Sequence, residues 1–276
     1  MIKYDIFNRE DLYWKISVNG ARNWNRFEKS YDGKDFGGNI IGKPLNGIYA
    51  LKTDGFINEQ DEMKVFYNQQ GVSNYLSNFY KGAFYKPGDY KFVDVNGDGT
   101  IGSGDAVYCG SALPIVSGGI VNEFRWKNFD LNMLMAYSLG RHIVNNLSKA
   151  VLTNGKYALM TDLNAISFWE KPGDHPDYPK LESDRMNSMW SYVDRDVEKV
   201  NYLKLKTLTV GYSFPKKWSR KAGIDELRVF VSGENLFTWT NYSGLDPETV
   251  DITSGFDLMS NYPLARKYTL GLTLKF

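Results

Sequence analysis

The chain has 276 residues, 42% of them hydrophobic, with 33 basic against 32 acidic side chains and a formal net charge of +1. That is enough apolar mass for a core and excludes disorder by composition, while the charge balance removes the electrostatic footprint of a nucleic-acid binder. Mean hydropathy is negative and no apolar run approaches the roughly 20 residues of a membrane helix, which excludes helical spanning and leaves spanning by alternating strands open.

Met1-Ile-Lys-Tyr-Asp-Ile opens as a strand rather than a signal peptide, so for an exported protein an N-terminal part is expected to lie outside this chain. In order, about seven strands are predicted: Ile2–Phe7, Leu12–Trp24, Gly118–Trp126, Phe129–Tyr137, Tyr202–Phe214, Leu227–Phe237 and Arg266–Phe276. Leu12, Trp14, Ile16 and Val18 oppose Tyr13, Lys15, Ser17 and Asn19, because strand side chains alternate with a period of two. Phe129, Leu131, Met133, Met135 and Tyr137 oppose Asn128, Asp130, Asn132 and Ala136, with Leu134 the exception. In the fifth strand Leu203 and Leu205 are out of phase with Leu208, Val210, Tyr212 and Phe214, and a bulge near Lys206-Thr207 would reconcile them. The last strand is the cleanest, with Tyr268, Leu270, Leu272, Leu274 and Phe276 on one face and Thr269, Gly271, Thr273 and Lys275 on the other.

The connections are sorted by length: Asn8–Asp11 and Lys127–Asn128 are short, Pro215–Glu226 intermediate, and Asn25–Ser117, Ser138–Asn201 and Thr238–Ala265 long. Short periplasmic turns alternating with long extracellular loops is the pattern of an outer-membrane barrel. The expectation is therefore all-β: an antiparallel transmembrane β-barrel segment of about seven strands with long extracellular loops. Abundant aromatics (19 Tyr, 16 Phe and 7 Trp) suit the interface girdles of such a barrel. Trp24, Trp126, Trp218 and Trp239, at strand ends, are read as interface anchors. The alternative is a secreted, calcium-stabilised β-sandwich that binds carbohydrate through exposed aromatics.

One loop carries metal-ligand spacing. In Asp94-Val-Asn-Gly-Asp-Gly-Thr-Ile-Gly-Ser-Gly-Asp105, Asp94, Asn96 and Asp98 stand at positions 1, 3 and 5 of an EF-hand-type loop, with Thr100 at 7 and Asp105 at 12. Hard oxygens at that spacing suit Ca2+, weakened by Asp in place of Glu at position 12. The same residues also make turns held by their own side-chain hydrogen bonds. Elsewhere the chemistry is sparse. Cys109 is single and reads as a packed thiol; His142 and His175 are isolated; no nucleophilic triad or phosphate loop is present, so no catalysis is expected. Asp194 and Asp196 read as solvated loop carboxylates. Trp169, Tyr178, Trp190 and Tyr192 suit either sugar stacking or packing within the large loops.

Several segments together resemble the C-terminal part of SusC/RagA-type TonB-dependent outer-membrane transporters. Pro87-Gly-Asp-Tyr-Lys-Phe-Val-Asp-Val-Asn-Gly-Asp-Gly-Thr-Ile101 is similar to the family's "PGD-x-K-(F/Y)-x-D-x-NGDG-x-I" segment, and Trp126-Lys-Asn-Phe-Asp-Leu131 to its "(Y/W)KxFDL" hairpin. Val200 to Pro215 resembles "SYLRLKNLTLGYxLP". Leu227 to Thr238 followed by Tyr242-Ser-Gly-Leu-Asp-Pro-Glu248 resembles "LRVYxSGxNLFT…YxGxDPE". Tyr262-Pro-Leu-Ala-Arg266 and the terminal Phe276 complete the set. The resemblance implies a piece (residues 1–276) of a barrel of about 22 strands filled by a plug domain, with the plug and the N-terminal strands outside it. It further implies import of an oligosaccharide or peptide, a SusD-like surface lipoprotein as cap, energy from the TonB complex through the missing N-terminal part and outer-membrane lipid around the wall. The one candidate cofactor is the Ca2+ suggested by the spacing of the Asp94–Asp105 loop, independently of the resemblance. Lys15, Ser17, Asn19, Asp130 and Asn132 then become lumen-facing candidates for contact with plug or solute.

Overall fold

The computed structural model describes residues 1–35, 39–59, 65–67, 73–75, 87–97, 101–146, 167–180, 193–219, 223–257 and 261–276. Its strands are β1 (Ile2–Asn8), β2 (Leu12–Ala21), β3 (Gly47–Leu51), β4 (Thr53–Phe56), β5 (Val65–Tyr67), β6 (Ser73–Tyr75), β7 (Tyr90–Phe92), β8 (Ala106–Ser111), β9 (Val116–Trp126), β10 (Phe129–Asn145), β11 (Val197–Ser213), β12 (Glu226–Thr240), β13 (Phe256–Asp257) and β14 (Lys267–Lys275). Seven of them form one antiparallel sheet in the order β1-β2-β9-β10-β11-β12-β14, and β13 pairs in parallel with the end of β10. The pairs β3-β8, β4-β7 and β5-β6 form separate two-stranded sheets.

The register makes the sheet two-faced. Trp14, Phe124, Leu131, Val210, Val231 and Leu270 lie in one row across six strands, and the neighbouring row runs Lys15, Glu123, Asn132, Thr209, Ser232 and Thr269. Rows alternate in this way because a one-residue step along each strand flips the side chain to the other face. The phase break near Lys206-Thr207 is a bulge: Thr207 pairs with Leu134 and Leu205 with Met135, so Lys206 stands unpaired between them and both halves of β11 keep their leucines on the apolar face. A second irregularity follows on β12, where Asn235 adopts φ 52°, a left-handed conformation that Asn tolerates better than most side chains.

The apolar face is open to the surroundings: Leu270 is 76% and Val231 53% exposed. The core lies elsewhere, at the end of the sheet where the three long connections gather. There Ile143 and Val200 pack with Tyr242 and Val250, and Ile48, Ala112 and Val144 pack with Val197 and Phe256. A third cluster, Phe56, Tyr90, Trp169 and Val193, joins the first two connections. The described parts of the long connections thus form a packed cap on one end of the sheet.

The barrel expectation is corrected. The sheet is open, with β1 and β14 as its two ends and no strand pairing joining them. The fold is an antiparallel, sheet-rich domain with small accessory sheets, and it is not closed. Alternation along a strand specifies which side is apolar, whereas closure requires a tilt and stagger carried round a full ring, which alternation does not encode. The sandwich alternative fares no better, since among the described residues no second sheet covers the apolar face. None of the described helices is long and apolar enough to cross a membrane.

Candidate functional site

The third long connection is fastened over the polar face by buried charge. Lys204 on β11 is 2% exposed and places Nζ 2.8 Å from Asp246 and 2.7 Å from Glu248. The bulge re-aims Lys206 so that its Nζ lies 2.7 Å from the other Glu248 oxygen. Burial pushes the Glu248 carboxyl up, but the two lysines outweigh it and hold it below the usual carboxylate range. One turn away, the buried Arg141 donates to the carbonyls of Pro247 (3.1 Å), Val250 (3.5 Å) and Asp251 (3.2 Å). Tyr242 donates to Asp257, and burial together with that carboxylate pushes its phenol well above the ordinary range. Glu198 on β11 accepts from Asn145 and from the backbone N–H and hydroxyl of Ser243. Backbone carbonyls held by a guanidinium and carboxylates held by ammonium groups make this segment a preorganised wall.

Separately, the first and second connections line a cleft of about 510 Å3, within the range of small-solute pockets. Its walls are β4, Lys91 on β7, the stretch 173–176 and the turn at Asp194-Arg195. Asp194 Oδ1 accepts from the Thr53 backbone N–H (3.2 Å) and hydroxyl (2.6 Å), which fixes its carboxylate. Asp174 accepts from the Lys171 N–H at 2.9 Å, and Gly173 N–H donates to Asn58 at 3.0 Å. Arg195 lies 5.0 Å over the Phe56 ring and donates one bond to the Pro176 carbonyl.

The predicted residues scatter. In the metal-type loop, Asp105 is buried and spends its oxygens on the N–H groups of Val95 (2.8 Å), Asn96 (3.3 Å) and Gly102 (2.8 Å), while Asp94 accepts from Gly97 at 2.7 Å. Asp98 and Thr100 lie outside the described residues, as do Trp190 and Tyr192. Asn96 packs its amide against Gly104, so the two ends of the loop are in contact. Trp169 is 5% exposed and belongs to a core cluster, which removes it as a stacking platform; Tyr178 is half-buried against Phe168. Trp24, Trp126, Trp218 and Trp239 are all more than half exposed. Lys15, Ser17, Asn19, Asp130 and Asn132 share the polar face, where Asn19 accepts from Gly119 N–H (2.6 Å) and Asp130 takes a bidentate pair from Arg228 (2.9 and 2.6 Å). Cys109 is half-buried beside the Ile48 cluster and burial pushes its thiol up, as a packing role requires. His175 lines the cleft, and His142 lies against Gly110, far along the chain from it. Arg141, Lys204, Asp246, Glu248 and Arg195 carry the site's chemistry without having been singled out. The signal for the anchored segment was present in the Asp-Pro-Glu block at 246–248.

No protein-family model matches the chain. It is 30% identical over 284 residues to TonB-dependent receptor P3 of Formosa agariphila, covering 97% of this chain and 27% of that protein. It is 26% identical over 281 residues to TonB-dependent receptor SusC of Bacteroides thetaiotaomicron, covering 97% of this chain and 25% of the receptor. Among solved structures, that of the RagAB peptide transporter superposes with a TM-score of 0.67 at 22% identity, over 99% of this chain and 28% of that one, a likeness of fold. The chain spans about a quarter of the length of the curated relatives it matches.

Proposed function

We propose, on the premise that this chain is homologous to TonB-dependent receptors of the SusC/RagA kind, that it is the C-terminal part of a larger active importer. It is an outer-membrane protein by that homology and is non-catalytic. In the proposal the open apolar face meets outer-membrane lipid, and the exposed tryptophans sit at the two interfaces. The polar face turns to the solute path, and the cap of long connections faces outward, where it meets solute and a SusD-like lipoprotein. Energy comes from TonB through sequence outside this chain, and the cargo class is an oligosaccharide or a peptide. The Asp94–Asp105 loop is proposed as a stabilising turn that offers weak oxygen ligation to Ca2+.

The observation that carries the reading is the division of labour across the sheet: one apolar face left uncovered, one polar face, and every long connection at the same end. A soluble domain would bury such a face, because an exposed apolar surface of this extent drives association in water. Fractionation tests it. The chain should be recovered with outer membrane and require detergent for extraction; a folded, soluble monomer obtained without detergent would overturn the proposal.

A further inference from the structure

The β3-β8 ribbon of the first connection meets the cap end of β10 at one titratable ring, His142. Past the register shift between Ser138 and Arg141, where Gly140 takes φ 72°, β10 runs into the cap, and its Ile143 and Val144 are fully buried. His142, just before them, lies over Gly110 of β8, where any Cβ would collide with the imidazole, so the contact requires glycine. Its Nδ1 is buried and has no hydrogen-bond partner. The surroundings favour a neutral ring. β11 places Lys199 opposite His142 in the ladder, and β8 brings the Cys109 thiol and the Ser111 backbone on either side of Gly110. The turn before β13 meets the His142 carbonyl through Gly255. No carboxylate acts on the ring. Burial first, and the Lys199 ammonium second, hold the imidazole below its ordinary value of 6.5, against an opposing pull from the Ser111 backbone.

We propose that His142 is a proton-released latch: a neutral ring keeps the β3-β8 ribbon seated on β10, and a protonated ring lets it lift. A neutral imidazole carries one N–H and can leave Nδ1 bare. The charged ring carries two, and in the seated ribbon the second would be buried without an acceptor and face Lys199 across the ladder. Lifting the ribbon gives both N–H groups to water. The depressed folded value fixes the sign: seating is at full strength above 6.5, the ordinary value, and weakens as pH falls below it. The ribbon is tied to the cleft. Only Lys52 separates β3 from β4, whose Thr53 and Phe56 line the cleft, and Leu51 bridges to Val193 beside the Asp194-Arg195 turn that lines it too. Acid therefore loosens the cleft before it reaches Glu248, whose contribution is complete above 4.5. The latch is indifferent to what the cleft binds and to the importer reading.

Cys109 reports the ribbon: it is the chain's single thiol, stands on β8 next to Gly110 and is half-buried beside the Ile48 cluster. The full chain in detergent is labelled with dithiodipyridine, which reacts with thiols in acid as well as at neutrality, from about pH 7 down to about pH 5. At each pH the rate is divided by that of the same chain unfolded in urea, which removes the chemistry of the thiol itself. The normalised rate should rise severalfold, and at most about tenfold, over the first pH unit below 6.5. His142→Phe and His142→Gln carry no titrating proton, so each should give a flat profile across the window. Hydrogen exchange of the β9-β10 ladder amides should not change over the same range, which separates release of the ribbon from global unfolding. A flat profile in the unmutated chain would overturn the latch. So would an acceleration that survives in both variants, as titration of His175 or Asp194 would give, or loss of β9-β10 protection in step with labelling.

Discussion

Replacing Lys204 with Met tests whether the third connection is held by charge. The side chain is 2% exposed and serves two carboxylates at 2.8 and 2.7 Å, whose own side chains are 8% and 25% exposed. Removing one member of a buried pair costs about 3–5 kcal/mol, chiefly because its partners stay buried without compensation. Two features pull the value toward the lower end. Glu248 keeps Lys206 at 2.7 Å, and Asp246 keeps the Glu248 backbone N–H at 3.1 Å. A loss of about 3 kcal/mol corresponds to roughly a 150-fold rise in local opening. Amide hydrogen exchange reads this directly, because Thr249 N–H donates to the Asp246 carbonyl and Gly255 N–H to the Asp251 carbonyl only while the segment is folded. In Lys204→Met these amides should exchange faster by about two orders of magnitude, while amides of the β9-β10 ladder, on the far side of β11, should keep their protection. Adding Asp246→Leu should restore part of the loss, since the stranded carboxylate is then gone. Unchanged exchange in the segment, or equal acceleration throughout the sheet, would refute the reasoning.

Four further outcomes follow from the packing and the charges. Trp169→Ala should cost about 3–5 kcal/mol in denaturant unfolding, because the ring fills the cluster with Phe56, Tyr90 and Val193; a loss below about 1 kcal/mol would return Trp169 to the surface. Asp105→Ala should lower stability by about 1–3 kcal/mol with or without calcium, since it strands three backbone N–H groups. In the same melts a calcium-dependent rise in Tm that vanishes in Asp98→Ala would assign the loop a cation, and its absence would leave a turn. Because Glu248 is held below the usual carboxylate value of 4.5, its contribution is complete above that pH and is lost as pH falls through its depressed folded value. Protection of Thr249 should therefore fall on acidification below pH 4.5, and Glu248→Gln should remove that part of the acid sensitivity.

Most strands of the large sheet were legible because they alternate over several residues, and a phase break in such a pattern has few explanations. Leu205 and Leu208 share a face only if one residue between them is extra, so the bulge at Lys206 followed from spacing. The cap was not legible. β4 is Thr-Asp-Gly-Phe and β7 is Tyr-Lys-Phe, too short for periodicity to speak. Trp169 read as a loop aromatic because its partners Phe56 and Tyr90 are about 80 or more positions away, and nothing local announces a core made from such distant segments. Lys204 alternates like any polar-face residue, and only the fold brings Asp246 over it. The barrel expectation departs from the open sheet for the opposite reason: a strongly two-faced pattern holds equally for a closed ring and an open sheet.

The cap also sets an order of assembly. The hairpins β9-β10 and β11-β12 close through short or intermediate connections, whereas Arg141 meets the Pro247 carbonyl across 106 positions and Asn46 meets the Thr253 carbonyl across 207. Loop closure over such separations is slow and gains little until the ends are already aligned. The two local hairpins then serve as the template on which the remaining strands and the long connections find one another. A lesion that slows zippering of β10 onto β11 should strand the cap unfolded and open to proteases, even when every cap residue is intact.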